Sequence, residues 1–88
     1  MASIRHLKQD INYVLGDIID AAIIHQGAHP ESDHKKSEEI IDDSIKTFDA
    51  LIARVNDRSV ENRASHLKQV RVDLQNEANQ LADRINAL

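Results

Sequence analysis

From Ile4 to Ala22 the apolar side chains Ile4, Leu7, Ile11, Val14, Ile18 and Ala22 recur in unbroken steps of three and four. An α-helix brings residues three and four apart onto one face, whereas a strand alternates faces every second residue, so this spacing draws one stripe along a helix. The same beat returns twice: as Ile41, Ile45, Phe48, Ile52 and Val55, then as Val60, Ala64, Leu67, Leu74, Ala78, Leu81, Ile85 and Leu88 with Arg71 in the remaining stripe position. Two Gly and one Pro are all the punctuation in 88 residues, which suits a few long elements.

The breaks fall between the stripes. Ser3 suits an N-cap. Gly27 suits the left-handed residue that ends a helix, Pro30 a first helical position, and the proline disfavours helical geometry at His29. Glu31 and Asp33 would then occupy the first turns of helix 2, where carboxylates complement the macrodipole. After Val55 the next apolar residue is Val60, with Asn56, Asp57 and Ser59 as cap candidates. These signals predict helices over about 3–26, 30–56 and 59–87. The expected fold is all-α, an antiparallel up-down-up three-helix bundle in which residues 1–88 form a single domain.

Folded about a turn at 27–29, the stripes pair Ile18 with Ile41, Val14 with Ile45, Ile11 with Phe48, Leu7 with Ile52 and Ile4 with Val55. Helix 3 adds Leu74, Arg71, Leu67, Ala64 and Val60 to those layers in turn. Arg71 would lay its stem along the core with its head in water, while Val70 or Val72 fills the layer. Ile85 and Leu88 overhang, either folding over a polar top or docking on a second chain.

Leu, Ile, Val and Phe supply 24 residues, enough apolar area to leave the disordered class. Tyr13 and Phe48 are the only aromatics, so the core is aliphatic. The absence of cysteine excludes disulfides, thiolate metal sites and thiol catalysis. Two distant glycines exclude a phosphate loop and a dinucleotide fingerprint, and there is no nucleophile elbow. Asp42 with Asp43 and Glu38 with Glu39 read as solvated helix faces. No enzyme and no cofactor are expected. A formal net charge of −4 with scattered cations argues against nucleic acid. No apolar stretch reaches the roughly 18 residues of a membrane span, and MASIRHLKQD has no apolar run behind its charges, so a cytoplasmic protein is expected.

The stretch HQGAHPESDH carries three of the five histidines. His25 and His29 have the spacing that zinc hydrolase helices use, but the glutamate of that motif is missing and Gly27 with Pro30 interrupts the helix. The expected register sets His25 opposite His34, with His29 in the turn. Together with Glu31, Asp33 or Glu38 the three imidazoles would suit zinc or nickel. In the plainer and preferred reading His25 and His34 close the end of the core and His29 is solvated, so no metal is assigned. A neutral, partly buried pair would lose stability as acid charged it, which makes a metal- or pH-responsive protein the alternative function.

Most of the functional signal lies in LGDIIDAAIIHQ, which is apolar on more than one face. Gly16, mid-helix, costs about 1 kcal/mol against Ala, and close approach by another helix would account for it. Tyr13, Gly16, Ile19, Asp20, Ile23 and Ile24 therefore mark the expected interaction surface, for a protein partner or for self-association. The plainer reading covers Ile19 and Ile23 with helix 2 or 3 and leaves only Ile24 exposed. The leading expectation is a non-enzymatic protein–protein interaction module.

The segment LKQDINYVLGDIIDAA, residues 7–22, resembles the start of short uncharacterised helical proteins of Bacteroidetes. The resemblance implies a bacterial cytosolic origin and brings no activity with it.

Overall fold

In a computed structural model, which describes residues 4–88, the chain forms α1 (Ile4–Ala28), α2 (Lys35–Asn56) and α3 (Arg63–Asn86), and each helix packs against the other two. The expected three-helix bundle is present. Gln26 bonds Ser37 across the first connection, while Arg54 pairs with Asp73 and Asp43 with Arg84 across the second, so successive helices run antiparallel. Extents of 50 × 19 × 17 Å leave a cross-section with room for one layer of core. Ser3, the expected first cap, lies outside the described residues.

Both connections are longer than the expected turns. α1 runs through Gly27, which keeps a negative φ, and ends at Ala28. Pro30 therefore sits in the loop rather than at the start of α2, as do Glu31 and Asp33. α2 begins only at Lys35, whose N–H donates to Asp33 Oδ1 at 3.0 Å. The second connection, residues 57–62, starts with Asp57 Oδ1 accepting from both the N–H and the hydroxyl of Ser59. It ends at Asn62, whose side chain accepts from Ser65 N–H and caps α3. Val60 thus belongs to the loop and not to the helix that follows.

Leu7, Ile11, Leu15 and Ile18 from α1, Ile40, Leu51 and Val55 from α2, and Val70, Leu74, Ala78 and Leu81 from α3 form the core cluster. Leu15 joins the stripe read from sequence on α1. On α3, Val70 fills the layer that Arg71 does not, and Arg71 turns out to pair with Asp10 at 2.9 Å. Ile85 and Leu88 pack against the core rather than overhanging it.

The largest correction concerns α2. Its buried line is Ser37, Ile40, Ser44, Leu51 and Val55, with Ser44 fully buried, whereas Ile45, expected at the centre of the core, is 47% exposed. The helix is rotated so that small side chains face inward. Ser44 Oγ donates to Ile40 O at 2.7 Å and Ser37 Oγ to His34 O at 2.9 Å, so neither hydroxyl is left unmet by its burial. Register shifts as well. Ile45 and Phe48, expected opposite Val14 and Ile11, share a groove with Ile19, Gly16 and Leu15, a slip of about one helical turn. The later, longer first connection accounts for it.

Candidate interaction surface

The rotation of α2 creates the most distinctive surface of the molecule. With Ile45 turned outward, Ile45 and Phe48 form one wall of a groove of about 190 Å³, and Asn12, Leu15, Gly16 and Ile19 form the other. A Cβ placed on Gly16 would meet no atom within 4 Å. No helix of this chain therefore makes the close approach expected there, and the glycine leaves an open notch in the groove wall.

The structure splits the surface residues expected on α1 into two groups. Gly16 and Ile19 line the groove, and Ile23, one turn beyond Ile19, extends the same edge at 52% exposure. Tyr13 and Ile24, at 65% and 69% exposure, are respectively three residues before and eight after Gly16. They lie on the face turned away from α2, and exposed Asp20 falls between that face and Gly16. Ile19 is only half-buried and Ile23 is exposed, so neither α2 nor α3 covers the row completely.

Ile45 is the functional candidate that sequence reasoning missed. Ser37, Ser44 and Leu51, spaced seven apart, were the signal that could have found it, since such spacing holds one helix face. Placing that line inward puts Ile45 outside.

At the turn, the structure gathers the three histidines without converging their nitrogens. The rings of His25 and His29 stack with centroids 4.3 Å apart. His29 Nδ1 donates to the carbonyl of His25 at 3.0 Å, and His34 Nε2 to the carbonyl of His29 at 2.9 Å. Each of these bonds requires the ring nitrogen to carry the proton, because a carbonyl only accepts. The expected pairing of His25 opposite His34 does not form. The rings instead close the C-terminal end of α1, where carbonyls lack helical partners. Among the described residues no group of three His, Cys, Asp or Glu is arranged to hold a metal ion.

The other end of α2 has a matching arrangement. His66 Nε2 donates to Arg54 O, and the Arg63 guanidinium reaches Val55 O and Asp57 O. Donors from the start of α3 thus meet the last carbonyls of α2.

Two further grooves lie between α2 and α3. One, about 300 Å³, is lined by Lys46, Thr47, Ala50, Leu51, Arg54, Asp73 and Glu77, and the Arg54–Asp73 pair spans it at 2.7 Å. Its neighbour, about 250 Å³, is spanned by the Arg84–Asp43 pair at 2.8 Å. In each the Arg–Asp pair joins the two helices, while Lys46 and Glu77 line both grooves. Arg54 and Gln69 both donate to Asp73 and hold its carboxyl below the usual carboxylate range, Arg54 the more strongly.

Among the described residues no helix is long and apolar enough to cross a membrane. Comparison of the chain with protein families, with curated proteins and with solved structures finds no match in any of the three.

Proposed function

We propose that this chain is a non-enzymatic protein–protein interaction module of the bacterial cytoplasm, which offers the α1 surface around Gly16 to another protein or to its own copy. The observation that carries the reading is the notch. A mid-helix glycine weakens α1 by about 1 kcal/mol relative to alanine, and nothing in the chain's own packing requires it. Along the same groove stand exposed Ile23 and Ile45 with half-buried Ile19 and Phe48, while exposed Tyr13 and Ile24 occupy the face of α1 turned away from α2. Scattered apolar residues are ordinary on a surface, but a cluster on two adjacent helices is a feature of binding faces.

The rod-like shape and its polar grooves, each bridged by an Arg–Asp pair, supply little for catalysis, and the histidine turn supports the metal-responsive alternative less well, because two of its imidazole nitrogens are committed to carbonyls. Affinity capture from the native cell with wild-type and Gly16→Arg protein tests the proposal. A partner retained by wild type and lost by the variant, with circular dichroism unchanged, supports it. A partner held equally by both, together with unaltered light scattering, sinks it.

A further inference from the structure

The groove between α1 and α2 has a charge pattern that points to what fills it. Asp42 stands three residues before Ile45 and Asp49 four after, so both share the exposed face of Ile45 and form a lip along α2. Asp20, one turn beyond Gly16, stands outside the opposite wall. Among the described residues none of the three enters an ion pair. The pairs found among the described residues join Arg54 to Asp73, Arg71 to Asp10 and Arg84 to Asp43. Lys46, the cation adjoining Ile45, lines the grooves toward α3 instead. Lys8, one turn below Asn12, marks the end of the acidic stretch.

Resting on the interaction-module reading, we propose that this groove seats one amphipathic helix of another protein, with aliphatic anchors on the notch side and Lys or Arg along both flanks, completing a four-helix bundle. A cavity of about 190 Å³ suits anchor side chains rather than a metabolite, whose sites run to roughly 300–1,000 Å³. Gly16 removes the Cβ that would hold an incoming helix away. A second copy is the poorer occupant: apposing the same face would set Asp20, Asp42 and Asp49 against like charges, and apposed like charges are destabilising. A cationic partner gains from those carboxylates, chiefly in encounter rate and specificity.

The test uses a synthetic 18-residue helical peptide with Leu repeating at three- and four-residue steps and Lys on the flanks, beside a version with Glu for every Lys. Binding is followed by fluorescence anisotropy and by amide shifts of the labelled protein. The Lys peptide is expected to shift Gly16, Ile19, Ile45 and Phe48, and to bind at least about tenfold more tightly than the Glu peptide at low salt. Gly16→Gln, which also removes the helix penalty of glycine, weakens it about tenfold with helicity kept. Asp49→Lys weakens it to a similar degree, while Asp83→Lys, the same charge change on α3, leaves it within about twofold.

Equal binding of both peptides, absence of shifts at the groove, or equal losses from Asp49→Lys and Asp83→Lys would overturn the proposal. So would a dimer that Gly16→Gln disperses without any peptide present, which would assign the groove to a second copy. Failure of the Lys peptide beside a captured protein that Gly16→Arg releases would overturn the helix assignment alone and leave the interaction reading intact.

Discussion

The side-chain amide of Gln26 donates to the Ser37 hydroxyl at 2.8 Å, and that hydroxyl donates onward to the carbonyl of His34 at 2.9 Å. This two-bond chain ties the last turns of α1 to the first turn of α2 and fixes the height at which the two helices meet. Gln26→Ala should cost about 0.5–1.5 kcal/mol, the net worth of one hydrogen bond. Urea unfolding with an unchanged denaturant slope would report it.

Substituting Gly16 by Ala should stabilise the chain by about 1 kcal/mol, since the new methyl meets nothing within 4 Å. For a domain of this size that is a rise of roughly 4–8 °C in Tm by calorimetry. A fall instead would mean that the open notch is filled in solution.

Ile45 and Leu74 make a controlled pair. Leu74 is 5% exposed and Ile45 is 47% exposed. Leu74→Ala is expected to cost about 2–5 kcal/mol, while Ile45→Ala stays below about 1 kcal/mol. Equal losses in chemical denaturation would return Ile45 to the core and close the groove.

Acid should weaken the fold through Asp57 and Asp73. The Ser59 hydroxyl and, to a lesser degree, its N–H hold the Asp57 carboxyl below its ordinary value, and Arg54 with Gln69 does the same for Asp73. A carboxyl that is lower in the folded state binds its proton more readily when unfolded. Its contribution is therefore complete above the unfolded value, near pH 4, and is lost as pH falls through the folded one. Thermal midpoints measured downward from about pH 5 should drop, and the drop should be smaller in Asp73→Asn.

Helix number and most of the α1 and α3 core were legible because Ile11, Ile18, Leu74 and Leu81 carry a strong three-and-four beat. The facing of α2 was not. Ser37 and Ser44 are polar by type, yet each returns its hydroxyl to a backbone carbonyl and lets α1 and α2 come close, so a stripe drawn through the isoleucines pointed the helix the wrong way. Loop lengths were hidden for a related reason. Gly27 is free to end a helix but does not have to, and α1 simply continues through it. The interaction surface was half visible: Gly16, Ile23 and Ile24 showed in the excess apolar faces of α1, and Ile45 could emerge only once the serines were placed inside.

All three Arg–Asp pairs run from α3 to another helix: two to α2 and one to α1. Their side chains are roughly one-third to one-half exposed, where dissolved ions compete with them directly. The α1–α2 hairpin, by contrast, is clasped by neutral bonds and aliphatic contact. Raising ionic strength should therefore relax the third rod before the other two, so that its amides trade their hydrogens for deuterium first while the hairpin keeps its own.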